Sequence, residues 1–397
     1  MLLLKILLII LLILFPFGEI FRFNIGNNIF LKPLDAISIL FLIWTAILYV
    51  KNKPFRQSLK WHYFYFPIIG FVSLLFNSYW LKPNEFLASF LYLLRWVSYL
   101  SIFFAVIQME EVFKKRICKI LVVDGLLVVL IGYIQYFLYP SLRNLYYMGW
   151  DEHLYRMFSS FLDPNFAGAF FVLYFIFILG LLFGKMKTHI GRTKFFYGSI
   201  AVLTVLAIFL TYSRSALLMF FISGAIFFLL LQKRRFILYL IFAIVLFIII
   251  ISPFFYIENL DLFRVTSSIE RLDTAQNAIK IILDHPIIGV GFDTYRYAQI
   301  HYHLIRTTSQ FPANSASGED TSLLFVFATT GILGLFAYCY LWFKLFTKAF
   351  NSFKTDKFAL IFFASGVGLF IDSLFVNSLF YAEIMLWIWV ITGLMLE

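Results

Sequence analysis

Apolar runs of about 20 residues recur along the whole chain, and each is long enough to cross about 30 Å of hydrocarbon as a helix. Twelve candidate spans cover residues 2–20, 34–50, 63–80, 84–107, 118–139, 161–184, 195–211, 213–232, 235–255, 320–346, 358–377 and 380–396. Inside a bilayer each backbone N–H and C=O must find a partner, so these spans are helices. They are too long and too uniformly apolar for barrel strands, which alternate. Composition agrees: 62% of residues are hydrophobic and 13% are charged, against about 25% charged in an ordinary soluble domain. The expected fold class is all-α. It is a polytopic integral membrane protein of about twelve transmembrane helices, with one large external loop between spans 9 and 10. Met1–Phe17 reads as a retained first helix rather than a cleaved leader, because Lys5 is its lone charge and no small-x-small site follows.

The net charge of +11 has to be read by position, since Lys and Arg in short loops set membrane orientation. Loops 51–60, 114–119, 185–194, 233–235 and 344–357 together hold 19 Lys and Arg. The alternate loops at 18–33, 80–83, 140–158, 212–215 and 378–382 hold 6. This alternation predicts a multi-pass protein of the bacterial inner membrane with both termini cytoplasmic. It accounts for the basic balance without a nucleic-acid partner. Cys118 and Cys339 fall near or within apolar spans, which suits neither a disulfide framework nor a thiolate metal site.

Residues 1–397 read as one membrane domain, and 256–319 as its large extracytoplasmic loop. Within that loop about 268–283 is expected to form an amphipathic helix. Its apolar stripe is Ile269, Leu272, Ala275, Ile279 and Ile282, opposite Glu270, Asp273 and Asn277, and Pro286 ends it. Such a helix suits the membrane surface or the cap of a cavity.

Polar residues inside or at the ends of spans are costly, so each asks for a role. Four clusters fall on the outer side. The first is Arg156 with Phe161-Leu-Asp-Pro-Asn-Phe-Ala-Gly168, where Asp163 before Pro164 also suits a plain helix N-cap. The second is Thr211-Tyr-Ser-Arg-Ser215, a tight hairpin that holds Ser213 and Arg214 at a helix end; arginine also snorkels from such places without any chemistry. The third is Glu270, Arg271 and His285-Pro-Ile-Ile-Gly-Val-Gly-Phe292. Its Gly289-x-Gly291 lacks the strand and third glycine of a dinucleotide fingerprint. The fourth is Gly318-Glu-Asp-Thr-Ser322, leading to Gly331-Ile-Leu-Gly334, where Ser317 or Asp320 also suits an N-cap.

Arg95 lies well inside span 4 and is expected to face a structural counter-charge; Asp35, Asp124, Asp372 and Glu383 are similar lesser cases. His301-Tyr-His303 has i, i+2 spacing and no clear third ligand, so no metal is assigned. No cofactor is expected either.

These four clusters, in this order and spacing, resemble the O-antigen ligase and polymerase superfamily of bacterial membrane glycosyltransferases. The resemblance covers most of the chain and is best from Arg156 to Leu335. It rests on the Asp-Pro-Asn start of span 6, the Ser213-Arg214 turn, the Arg271 helix running into His285-Pro and Gly289-x-Gly291, and the polar opening of span 10 before Gly331-Ile-Leu-Gly-Leu335. It implies a metal-independent transferase acting on undecaprenyl-diphosphate-linked glycans at the extracytoplasmic face, in cell-surface polysaccharide synthesis. The partners would be that lipid-linked glycan, an acceptor glycan or lipid, and the surrounding membrane lipids.

By the same resemblance Arg214 holds the diphosphate most directly, Arg271 next and Arg156 more loosely. Asn165, Ser213 and His285 would complete the binding site. Family ligases usually open the helix before their Gly-x-x-Gly turn with a histidine; here the matching position is Asp320, beside Glu319. Polymerase and ligase therefore both stay open, and Asp320 or Glu319 is the candidate base. Three rival readings are a transporter or flippase of lipid-linked sugars, which would place its charges near the midplane, a non-enzymatic assembly or scaffold protein, and an oligosaccharide transferase acting on protein.

Overall fold

The computed structural model describes the chain except for residues 27–28, 52–59, 185–190, 253–265, 305–317 and 396–397, and except for the side chains of 24–29, 251, 266–268 and 270. Ser317 and the Glu270 side chain, both considered above, lie outside the described residues.

Every expected span contains a helix. These are α1 (Leu2–Leu14), α2 (Pro33–Lys51), α3 (Tyr65–Phe76), α4 (Pro83–Ile107), α5 (Glu111–Leu138), α6 (Pro164–Phe183), α7 (Gly191–Leu210), α8 (Arg214–Leu230) and α9 (Arg235–Ile251). Two loop helices follow, α10 (Thr266–Asp284) and α11 (Tyr295–His301). The last three are α12 (Ser322–Ser352), α13 (Lys357–Asp372) and α14 (Ala382–Met395). The protein is thus an all-α polytopic membrane protein. One small departure is an antiparallel hairpin, Phe23–Gly26 with Ile29–Leu31, in the connection before α2.

Among the described residues, seven helices, counting α1 with its 3-10 continuation to Phe21, are long and apolar enough to cross a bilayer. By contrast α3 has 12 residues and α14 has 14, shorter than the spans expected from hydropathy. At 1.5 Å per residue α3 covers only about 18 Å. Hydropathy counts every apolar residue, whether or not its backbone is helical. The difference is made up by turns at 77–82 and 373–381, in which Asn77, Ser373, Ser378 and Leu379 are buried whereas Tyr79, Leu374 and Phe375 are exposed. Irregular backbone at such a depth is tolerated where protein surrounds it.

The core forms around α6, α13 and α14. α6 is apolar all round and buried on every side, as a helix with no lipid-facing stripe must be. Trp387 of α14 packs edge-on against Phe170, Tyr174 and Phe177 of α6. Small residues let backbones approach closely: Gly368 of α13 lies against Ser223 and Met219 of α8, and Gly180 of α6 lies against Ile361. α9 buries Leu240 and packs Phe236, Ile237, Ile244 and Phe247 partly against the core, whereas Leu238, Phe242 and Ile249 face outward.

α12 is broken at Gly331 (φ 65°, ψ −170°), a conformation open in practice only to glycine. The loop after α10 fills the break. Val290 and Gly291 N–H donate to the carbonyls of Ala328 and Thr329 (both 3.0 Å), and Ile332 N–H donates to Pro286 (2.9 Å). Ser73 of α3 donates to Ile288 and Thr329 (2.6 and 2.9 Å), and Asn77 donates to Gly289 (3.0 Å). The two glycine motifs of the sequence are therefore two halves of one joint. A side chain on Gly289 or Gly331 would collide with the opposing backbone.

Candidate functional site

Four helix N-termini meet at one end of the bundle. Asp163 caps α6, accepting from the backbone N–H of Asn165 (2.6 Å) and Phe166 (3.4 Å). Ser213 caps α8 and is also hydrogen-bonded to Asn165, its hydroxyl donating to Oδ1 at 2.9 Å. The start of α12 is tied to the end of α13, with Ser322 N–H donating to Ser373 (2.9 Å) and the Thr321 hydroxyl to Leu374 (3.3 Å). Tyr381, just before α14, donates to the carbonyl of Phe161 (2.9 Å) and stacks on Phe166. Each N-terminus carries the partial positive end of its helix dipole, which favours negative charge nearby; at α6 the first N–H groups are already taken up by Asp163.

Arg156 is 4% exposed and acts as a tie: Nε donates to the carbonyl of Thr211 (2.9 Å) and a terminal nitrogen to Asn165 Oδ1 (3.3 Å). It joins the first two sequence clusters through Asn165. Arg214 is the first residue of α8 and is half-buried. Arg271, half-buried on α10, lies within electrostatic reach of both Asp163 and Asp372. Thr274, one turn on, donates to Asp320 Oδ2 (3.3 Å) and to the carbonyl of Arg271 (3.0 Å). The arginine clusters and the acidic opening of α12 are thereby assembled around one mouth.

Glu319 is 2% exposed and accepts from the Tyr295 hydroxyl (3.1 Å). Burial pushes its carboxyl up to about 7, helped by Asp320 and opposed by the Tyr295 hydrogen bond. His285 is placed differently. It follows α10, fourteen residues beyond Arg271, or about 21 Å along a helix axis. Its neighbourhood is the joint with α12.

The expected stripe of α10 is split between two sides, with Ile282 packed inward and its other large members exposed. Ala278, Ile281 and Ile282 are buried against the bundle, whereas Ile269, Leu272 and Ile279 face outward. Periodicity locates an apolar stripe but not what covers it; here polar Arg271 and Thr274 take the protein side.

Sequence reasoning did not single out Gln135, Lys32 or Glu19, and it took Asp372 and Glu383 only as lesser polar residues within spans. Gln135 of α5 accepts from the N–H of Phe158 (2.8 Å) and Ser159 (3.1 Å) and so fixes the Arg156 segment. A lone glutamine within an apolar span was the available signal. Asp372 is fully buried at the end of α13, with Ser215, Ser378, Arg271 and Asp163 in reach. A second polar cluster adjoins the mouth: Lys32 pairs with Glu383 (3.0 Å) and with Glu19, and its ammonium lies 5.1 Å from the Tyr381 ring. Arg95 pairs with Asp35, as its depth in span 4 predicts, and Tyr99 donates to the same carboxylate (3.1 Å).

The fold defines a polytopic helical membrane protein in which several arginines and carboxylates gather at one end of the bundle. Residues 199–339 match the family model described as O-antigen ligase. That segment carries Ser213, Arg214, Arg271, His285, Glu319 and Asp320; Arg156 and Asn165 precede it. The match supports an O-antigen-ligase-type function in general, a glycosyl transfer between a lipid-linked glycan and an acceptor. No curated protein matches the chain.

Proposed function

We propose that the protein transfers or polymerises an undecaprenyl-diphosphate-linked glycan at the extracytoplasmic face of the bacterial inner membrane. The observations that support this reading are Arg214 opening α8 between Ser213, which bonds to Asn165, and Ser215, which lies near Asp372, and Arg271 lying near that same Asp372 on a helix bonded to Asp320. An acceptor hydroxyl attacks the anomeric carbon, the bond to the diphosphate oxygen breaks, and the diphosphate leaves with the bonding electrons. Negative charge grows on it as it departs. Guanidinium groups stay charged and grip phosphate oxygens through paired hydrogen bonds. Arg156 is already committed to Thr211 and Asn165, so its role is to hold the wall in which Arg214 sits. The acceptor's proton passes to Glu319 or to Asp320.

A transporter reading draws on the broken α12, since broken helices are where transporters place their sites. Here the groups freed by the break are taken up by 286–291 and by Ser73, which removes them as ligands for a cargo.

Arg214→Ala is the test. With lipid-linked oligosaccharide and acceptor in detergent, turnover should fall by about 10²–10³-fold, the usual cost of one such donor. Membrane insertion and yield should be unchanged. Near-normal turnover would remove the diphosphate role. The glycan profile of a deletion strain separates the branches: lost chain length marks a polymerase, and lost attachment of full-length chains marks a ligase.

A further inference from the structure

Between α1 with its 3-10 continuation and α5 lies a groove of about 550 Å³, open to the side of the bundle. Ile13 and Phe17 form one wall; Val123 and Leu127 form the other. All four are more than a third exposed, so the groove faces the bilayer rather than the core.

Two polar groups interrupt these walls. Asp124 is 4% exposed, and its Oδ2 has no hydrogen-bond partner. Lys119, also in the lining, lies five residues nearer the start of α5, about 7.5 Å along the helix axis. Lys115 and Arg116 share its end of the helix and are exposed. A buried carboxyl oxygen without a partner is costly in an apolar wall, and the cost is relieved when an occupant brings one. Chain alone would fill the groove but leave Asp124 unmet. A headgroup alone would leave the apolar walls empty.

We propose that this groove binds one anionic diacyl phospholipid. Its phosphate sits on Lys119, its ester-linked region meets Asp124, and one acyl chain lies along Val123, Leu127 and Phe17. The Lys119–Asp124 spacing suits two polar levels separated by a glycerol. A carboxyl in its uncharged form both donates and accepts, so it can meet an ester carbonyl. The Lys119 ammonium in the lining selects an anionic headgroup over a zwitterionic one. This site is independent of the glycan-transfer reading, and its test does not use turnover.

Full-length protein in detergent is mixed with phosphatidylglycerol or with phosphatidylcholine, and bound lipid is counted by native mass spectrometry. One phosphatidylglycerol should survive activation that strips phosphatidylcholine. Lys119→Ala and the groove-filling Leu127→Trp should each lower the retained fraction about tenfold, while Arg116→Ala, outside the groove, should not. Equal retention of the two lipids, or unchanged retention in Lys119→Ala, would overturn the site and leave only a non-selective lipid belt. Lys119 is exposed, so that variant decides the matter even if Leu127→Trp does not fold.

Discussion

At the residue scale, the clearest contrast is between Arg156 and Arg214. Both look alike in sequence, as single arginines at the outer end of a span. Arg156 is buried and spends its donors on Thr211 and Asn165, whereas Arg214 opens α8 at the mouth. Asn165 accepts from both Arg156 and Ser213. Asn165→Ala should therefore leave buried donors unmet and cost about 1–3 kcal/mol, read by thermal unfolding in detergent. Glu319 supplies a pH prediction. Burial lifts its carboxyl from 4.5 to about 7, and a base must be ionised to take a proton. Turnover should rise with pH through about 7, and Glu319→Gln should lose that limb together with about 10²–10⁴-fold in rate. A limb that survives in Glu319→Gln would move the base to Asp320. Stability runs the opposite way. Between pH 4.5 and about 7 the folded protein keeps a proton that the unfolded chain has released, so this group makes the fold less stable as pH rises through that window.

At the element scale, helix identity follows from local rules and helix length does not. Pro164 after Asp163 starts α6 where the sequence says it should. α3 stops where Asn77 turns to bond with Gly289 at the joint, and α13 stops at Ser373, whose carbonyl accepts from Ser322 N–H at the start of α12. The joint at Gly331 is the least local feature. Gly331-Ile-Leu-Gly334 and Gly289-x-Gly291 each look like an ordinary turn signal, and neither motif reveals that the other fills its break. Gly331→Ala should cost roughly 2–5 kcal/mol, combining a strained backbone with a clash against Ile287, and should lower the melting temperature without altering membrane insertion. A melting temperature equal to the parent's would mean that the loop is not seated in α12.

At the scale of the whole molecule, hydrogen bonds tie together the starts of α6, α8, α12 and α14, so these ends share one side of the bundle. The 19-to-6 split of Lys and Arg predicts that this side is extracytoplasmic. Cysteine labelling checks it, after Cys118 and Cys339 are replaced. Tyr147→Cys, in an exposed segment before the mouth, should react with an impermeant thiol reagent in intact spheroplasts. Lys354→Cys should react only after the membrane is opened. The reverse pattern would place the arginines in the cytosol and end the proposed reaction.

The sequence by itself determined that the chain crosses a membrane repeatedly as helices, which residues break its apolar pattern, and which ends those residues occupy. It could do so because apolar runs, caps and loop charges act locally and add along the chain. Tertiary structure alone decided which polar residues meet: Asn165 with Arg156 and Ser213, Glu319 with Tyr295, and Lys32 with Glu19 and Glu383. Those pairings join residues up to 351 positions apart. They depend on how apolar helices pack side by side, and the apolar pattern of one helix does not name its neighbour.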